Sequence, residues 1–303
     1  MRWGVLGTGY WAEETHAAAI AAADGEEFVG VWGRDRTKAD RVATRWGGRG
    51  YADPTSLFAD VDAVAFALPP DVQAPLAVQA ADAGRHLLLE KPIALDSLAA
   101  INVRDAVERG GVASVVFFTL RFRALVRPWL NEVIATNGWQ GASGRWLAGG
   151  TFDPASPWAP SIWRRKHGAL WDLTPHLLSV VVPVLGPVQA ATADRGLTDL
   201  VHLLLTHESG ASSSLSVAQT LAPRVTAVDL ELYGEAGRSA MPDDTETTAI
   251  AAFQAAMREL ADSVRSGQPS PTDVRLGVHM VSVLEAAKRS LESADSHRIP
   301  VES

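Results

Sequence analysis

Arg2-Trp3-Gly4-Val5-Leu6-Gly7-Thr8-Gly9-Tyr10-Trp11-Ala12 is a short apolar run closed by two glycines, and it opens an alanine-rich stretch that continues to about Ala23. The run reads as a strand, the glycines as a tight turn, and the alanine-rich stretch as a helix. The same alternation repeats downstream. Phe28 to Trp32 is a second strand-like run, followed by a charged helical segment from Thr37 to Trp46. After Tyr51, Asp53-Pro54 is a helix start with Asp as N-cap and Pro at the first helical position. Ala63 to Leu68 is a strand stopped by Pro69-Pro70, Val72 to Ala83 a helix, and His86 to Leu89 a further strand. About five strands separated by helices predict a parallel, doubly wound sheet, because parallel strands need crossovers and helices supply them.

Within that frame Gly7-Thr8-Gly9-Tyr10-Trp11-Ala12 matches G-x-G-x-x-A at the first strand-to-helix turn. The first glycine permits the tight turn and the second lets a pyrophosphate approach the backbone. The small third residue lets helix and strand pack closely, and the helix N-terminus stabilises negative charge. The motif predicts a dinucleotide site; a merely structural turn is the alternative. Glu13 and Glu14 suit the helix dipole but would repel a pyrophosphate if they faced it.

A site for NAD usually carries a carboxylate at the end of the second strand. Here Gly33 stands about there, followed by Arg34, with Lys38 one turn into the next helix. Two cations suit a 2′-phosphate and predict NADP over NAD. In the alternative, Arg34 is solvated and Asp35 takes the ribose.

Composition limits the rest. The chain has 303 residues, 47 % hydrophobic and 20 % charged, which is globular composition and enough length for two domains. A formal net charge of −8 makes it a poor general binder of nucleic acid or anionic membrane. It has no cysteine, which removes disulfides, thiolate metal sites and cysteine nucleophiles together. No export signal is legible, and the longest stretch without Asp, Glu, Lys or Arg, Leu173 to Ala193, is interrupted by Pro175, His176, Pro183, Gly186 and Pro187. A packed helix followed by a loop is expected there, in a soluble, cytoplasmic protein.

After about Phe118 the pattern changes. A helix from Ala124 to Asn137 leads to strand-like Arg145 to Phe152, then Leu200 to Thr206, Ser212 to Thr220 and Val225 to Tyr233. Strands following strands favour antiparallel pairing. Helices over Thr247 to Ser266 and Asp273 to Ser293 close the chain. The expected architecture is α/β: an N-terminal Rossmann sheet over 1–118, then an α+β domain over 119–303 with a largely antiparallel open sheet.

The order of several segments resembles the glucose–fructose oxidoreductase, inositol dehydrogenase and rhizopine-catabolism group, the Gfo/Idh/MocA family, across nearly the whole chain. The segments are the glycine turn, Ala65-Phe66-Ala67-Leu68-Pro69-Pro70, Ala83-Gly84-Arg85-His86, and Glu90-Lys91-Pro92-Ile93-Ala94, the most specific of them. Arg121-Phe122, Asp172-Leu173-Thr174-Pro175-His176 and Gly234-Glu235-Ala236-Gly237 continue the series. The resemblance implies that Gly7, Gly9, Tyr10, Trp11, Ala12, Leu68, Pro69, Pro70, Gln73, Glu90, Lys91 and Pro92 line a nicotinamide cofactor. It also implies a cis peptide between Lys91 and Pro92, and a homo-oligomer through the C-terminal sheet. Gln73 replaces a histidine common in the family, and Thr174 a glycine.

Catalytic roles fall on Lys91, Asp172 and His176. Lys91 is one of four lysines and follows a strand at the carboxyl edge of the sheet, where a cation can orient a substrate oxygen and stabilise a developing alkoxide. Asp172 and His176, four apart, would share a helix face. The histidine can take a hydroxyl proton, and the aspartate can orient it. Trp158, Trp163 and Trp171, with Arg164, Arg165 and Lys166, either line a polyol pocket or form core and subunit interface. Arg121 with Arg123 and Arg127 is an anion patch or a solvated domain junction. His202 and His207 face opposite ways on a strand, and there is no H-E-x-x-H, so no metal site is expected.

The resulting expectation is an oxidoreductase that takes hydride from a secondary alcohol of a sugar, inositol or related polyol, or runs in reverse. A glycosidase using transient oxidation by NAD and a non-catalytic cofactor sensor are the alternatives.

Overall fold

Six strands, β1 (Arg2–Leu6), β2 (Glu27–Trp32), β3 (Arg49–Tyr51), β4 (Ala63–Phe66), β5 (His86–Leu89) and β6 (Ser114–Val116), form one sheet in the order β3-β2-β1-β4-β5-β6. Every neighbouring pair is parallel. The computed structural model describes residues 1–293 and 299–301. Strand order reverses between β1 and β4, and the crevice at the carboxyl ends there is where doubly wound sheets take ligands. One strand more is present than the sequence predicts, since β6 is only three residues long.

The connecting helices start and stop as local chemistry dictates. The side chains of Asp35, Asp53 and Asp96 accept from the backbone N–H of Lys38, Ser56 and Ala99, capping α2 (Arg36–Trp46), α3 (Pro54–Asp60) and α5 (Ser97–Gly110). Hydrogen bonds from Ser56 and Thr55 pull the Asp53 carboxyl down to about 2. α4 (Pro70–Asp82) follows the proline pair. The first helix, α1, differs from expectation: Ala12–Ala17 is π-helical, and only Ala18–Ala21 continues as α-helix.

The chain divides into two compact units, Met1–Phe122 with Glu246–Val278, and Arg123–Thr245 with His279–Ser303. A single cut at 118/119 therefore misplaces α9 (Ala249–Ser266), which belongs to the first unit. Its buried residues Ala252, Phe253, Ala256, Met257 and Leu260 join Trp3, Val5, Ile20, Leu88, Val115 and Phe117 in one core cluster. Helical periodicity shows that α9 has an apolar face, but not which sheet that face covers.

In the second unit the sheet runs β12-β11-β7-β10-β9-β8-β13, built from β7 (Trp139–Ala148), β8 (Val188–Arg195), β9 (Val201–His207), β10 (Ser212–Ala218), β11 (Thr226–Gly234), β12 (Gly237–Ala240) and β13 (Ile299–Pro300). It is mixed: β7 and β10 pair parallel and the other neighbours antiparallel. The expected loop after Pro187 is strand β8, and β7 begins earlier than predicted. Along β9, Val201, Leu203, Leu205 and His207 are buried while His202 and Leu204 are exposed, the alternation of a sheet covered on one face.

α6 (Val126–Ala135), α7 (Ile162–Asp172) and α8 (Thr174–Leu185) complete this unit, and α10 (Val274–Glu292) begins in the first unit and ends in the second. The stretch Ile162–Leu185 is long and apolar enough to cross a membrane, but 83 % of its apolar window is buried inside the protein. Leu177, Leu178, Val180 and Val181 are fully buried. Each contributes about 1.5–3 kcal/mol by burial, so α8 is a core helix of this unit.

Two histidines of the second unit, the buried His207 and the half-buried His279, sit in desolvated surroundings that disfavour their charged form. His279 accepts the N–H of Val188 at Nε2 (3.0 Å), and His207 bonds Gly186 O and Ser213 Oγ through its two ring nitrogens (2.7 and 2.9 Å). Burial pushes both below the ordinary 6.5. The unfolded chain therefore binds protons that the native state does not, so this contribution is complete above pH 6.5 and lost as pH falls below it. The melting temperature should drop as pH is lowered from 7 to 5, and His279→Gln, which keeps an acceptor for Val188, should flatten that drop. An equal slope in wild type and variant would exclude His279 as a source.

Candidate active site

The glycine turn closes against the neighbouring strand. Gly7 has φ +129°, and a Cβ there would lie 2.4 Å from Ala67 O, so only glycine fits. Above Gly9 there is nothing within 4 Å of a Cβ position, which leaves the backbone open to a ligand. Ala12 is fully buried, as close packing of helix on strand requires. The three small residues thus meet the three demands of a pyrophosphate turn, and the residues present fit a dinucleotide.

A cleft of about 260 Å³ begins at this turn and is lined by Gly7, Gly9, Gly33, Arg34, Lys38 and Pro69, among others. Leu68 also lines it, whereas Tyr10 lies half exposed beside the turn and Pro70 is buried in the first turn of α4. A Cβ on Gly33 would lie 2.5 Å from Thr8 Cγ2, so the end of β2 carries no side chain. Asp35 is engaged as the cap of α2, while Arg34 is exposed. Glu13 bonds Arg41 and Arg45 (2.9 Å each), and Glu14 bonds Arg45, so both carboxylates are matched by arginines of α2.

At the end of β5 the chain enters Glu90-Lys91-Pro92, and the Lys91–Pro92 peptide is cis. Lys91 is 6 % exposed. Gln73 is fully buried and bonds this loop in both directions: Nε2 donates to Glu90 O (2.8 Å), with longer contacts to Pro92 O and Ile93 O, and Oε1 accepts from Glu90 N–H (2.9 Å). The Gln73 amide is thus engaged by the loop that carries Lys91. The Glu90 carboxylate accepts from Trp11 Nε1 (2.6 Å), lies 3.1 Å from His16 Nε2, and accepts from Lys91 N–H (3.3 Å). His16 escaped sequence reading, because nothing in its alanine-rich surroundings marks it.

In the second unit, Asp172 is the last residue of α7, Leu173 separates the helices, and Pro175 sits in the first turn of α8. Asp172 and His176 thus straddle a helix junction instead of sharing one helix face. Both are buried, at 5 % and 6 % exposure. Asp172 Oδ2 accepts from Arg164 Nε (2.9 Å), and the Arg164 guanidinium lies 4.4 and 4.9 Å from the ring centres of Trp158 and Trp163. The His176 ring faces Trp146 of β7, with centroids 4.9 Å apart and planes at 31°. Sequence reading did not single out Trp146, although it lies in the strand predicted from Arg145 to Phe152, because nothing in that strand marks which residue faces His176. Trp171 is core, Arg165 bonds Ala159 O, and Arg121 is buried rather than solvated.

Two family models account for most of the chain. The oxidoreductase family with NAD-binding Rossmann fold matches residues 1–118, and the GFO/IDH/MocA C-terminal domain matches residues 100–240. The oxidoreductase ORF334 of Rhizobium meliloti is 27 % identical, covering 96 % of this chain and 97 % of its own length. The levoglucosan dehydrogenase of Pseudarthrobacter phenanthrenivorans is 30 % identical over 44 % of this chain and 35 % of its own. Among solved structures, GenD2 of gentamicin A biosynthesis in complex with NAD has TM-score 0.84 at 22 % identity, covering 100 % and 97 % of the two chains. Levoglucosan dehydrogenase with NADH and levoglucosan also has TM-score 0.84, at 18 % identity and 100 % coverage of both chains.

Gln73→Leu keeps the volume but leaves the Glu90 N–H and C=O without their side-chain partner. Urea denaturation should show a loss of about 1–3 kcal/mol for such buried groups, and an unchanged midpoint would mean that the clamp is idle.

Proposed function

The chain belongs to the Gfo/Idh/MocA oxidoreductase family, and on that premise we propose that it moves hydride between a nicotinamide cofactor and a secondary alcohol or ketone of a sugar, inositol or related polyol, with NADP preferred over NAD. The observation that carries the reading is the glycine turn at the strand-order reversal. It is open over Gly9, closed to any side chain at residue 7, and continuous with a cleft bearing Arg34 and Lys38. Named relatives support the substrate class: one is a levoglucosan dehydrogenase and another a UDP-N-acetylglucosamine 3-dehydrogenase.

When bound, the nicotinamide supplies the hydride acceptor. The chain's own residues do the rest. Backbone N–H groups at the start of α1 hold the diphosphate, and Arg34 with Lys38 holds the 2′-phosphate. The Lys91 ammonium holds the substrate oxygen and stabilises the alkoxide as it develops. His176 takes the hydroxyl proton as general base, or returns it in the reverse direction. Asp172, held by Arg164, orients that exchange, and Trp163 with Arg164 borders the sugar. The cysteine-free composition is consistent with work in the cytoplasm. The outer face of the second sheet, where Leu204 is 57 % exposed, is the surface for self-association.

A screen of aldoses and polyols with both cofactors, read by absorbance of the reduced nicotinamide, tests the activity; no turnover with any pair would overturn it. Lys91→Met and His176→Asn should each lower turnover by about 10²–10⁴-fold with nucleotide affinity nearly intact. Arg34→Ala should weaken NADP about tenfold and leave NAD unchanged, and equal losses for both would remove Arg34 as the discriminator.

A further inference from the structure

We propose that Trp11, His16 and Glu90 form one brace that ties the Lys91 loop to the nucleotide turn, making them positioning residues for Lys91. The inference rests on the catalytic role proposed above for Lys91. Its structural basis is independent of that role.

One oxygen of Glu90, Oε1, meets both Trp11 Nε1 (2.6 Å) and His16 Nε2 (3.1 Å), while Oε2 accepts the Lys91 N–H (3.3 Å). A single carboxylate thus connects a residue two positions after Gly9 to the backbone of the lysine. Trp11 and His16 are five apart. In an α-helix five residues turn through one full circle plus about 140°, so two such side chains could not converge on one atom. The wider turn of the π-helical stretch Ala12–Ala17, with its i→i+5 hydrogen bonds, reduces that offset and brings the two side chains toward one side. Among the described elements it is the one π-helix, and it lies where this convergence is needed.

His16 has no exposure to water. Its ring lies 4.2 Å from that of Phe253 and within about 6.5 Å of those of Trp11 and Phe117. An aromatic hydrocarbon would fill this box without penalty. Instead the box holds an imidazole whose Nδ1 has no hydrogen-bond partner, which is unfavourable in a buried site. Glu90 as a carboxylate only accepts, so in this contact the His16 Nε2–H is the donor. What offsets that loss is the Nε2–H bond to Glu90. With Gln73 clamping the Glu90 backbone from the other side, both the main chain and the side chain preceding Lys91 are fixed. A shift of about 1 Å in a catalytic group can lower the rate on the order of 100-fold, which is the effect such a brace prevents.

Variants of the full chain test this. His16→Phe keeps the ring volume and removes the N–H, whereas His16→Gln presents an N–H close to the position of Nε2. Trp11→Phe removes the shorter bond from a half-buried site and carries the test if His16→Phe does not fold. Hydrogen exchange over residues 88–95 should speed up at least tenfold in His16→Phe and Trp11→Phe and return to wild type in His16→Gln. With the polyol that the wild type oxidises fastest, kcat should fall 10- to 100-fold in the first two. In His16→Phe, KM and the calorimetric Kd for NADP should stay within threefold, and His16→Gln should restore kcat. Unchanged exchange, losses confined to KM or Kd, or a His16→Gln as impaired as His16→Phe would each overturn the brace. Full turnover in Lys91→Met would instead overturn the role of Lys91, and the exchange data would still decide whether the brace exists.

Discussion

The first unit depends on the approach of residue 7 to β4. Leu6 and Gly7 continue the ladder, with the Gly7 N–H on Trp32 O and the Ala67 N–H on Leu6 O, both at 2.8 Å. The chain then has to leave the sheet against Ala67 with a backbone angle that favours glycine. Any side chain would push β1 from β4 at the point where strand order reverses. The opening of the cleft, the direction of α1 and the position of Trp11 all follow from that turn.

Most of the sheet was legible because its determinants are local. Apolar runs with turn residues at their ends, Asp caps and proline starts mark β1, β2, β4 and β5 and the helices between them. What escaped was decided by partners distant in sequence. Three residues at Ser114–Val116 carry too little pattern to read as a strand and become one only beside Leu87–Leu89. α9 is amphipathic in isolation, yet its assignment to the first unit depends on Phe253 meeting His16 and Phe117, more than 130 positions earlier. The π-helix had no signature in composition, since alanine favours an α-helix. Tertiary bonds to Glu90 override that preference.

In the candidate site the residue types were legible and their mechanical setting was not. A spacing of four suggested a shared helix face for Asp172 and His176, but α7 ends at Asp172 and α8 starts at Thr174. The pair is still local because the interruption is one residue long. Arg164, eight positions before Asp172, reaches it although Gly168 between them leaves helical geometry at φ 67° and ψ −170°. Such a kink cannot be read from a lone glycine. Of the three tryptophans, Trp171 is buried, while Trp158 and Trp163 flank the Arg164 guanidinium.

Charge explains how an acidic chain can present an anion site. Two carboxylates, Glu13 and Glu14, lie within the first turn after the pyrophosphate motif, where unopposed they would weaken binding of a diphosphate. Arg41 and Arg45, one turn apart on α2, meet them across the helix pair. Asp35 Oδ1 accepts from the Lys38 N–H at the start of α2, and Lys38 Nζ lies 3.8 Å from its Oδ2. Glu13, Glu14 and Asp35 are therefore each matched by a donor or a cation, and Arg34 stays exposed beside them. Net charge describes the whole surface, whereas binding depends on which charges are already paired.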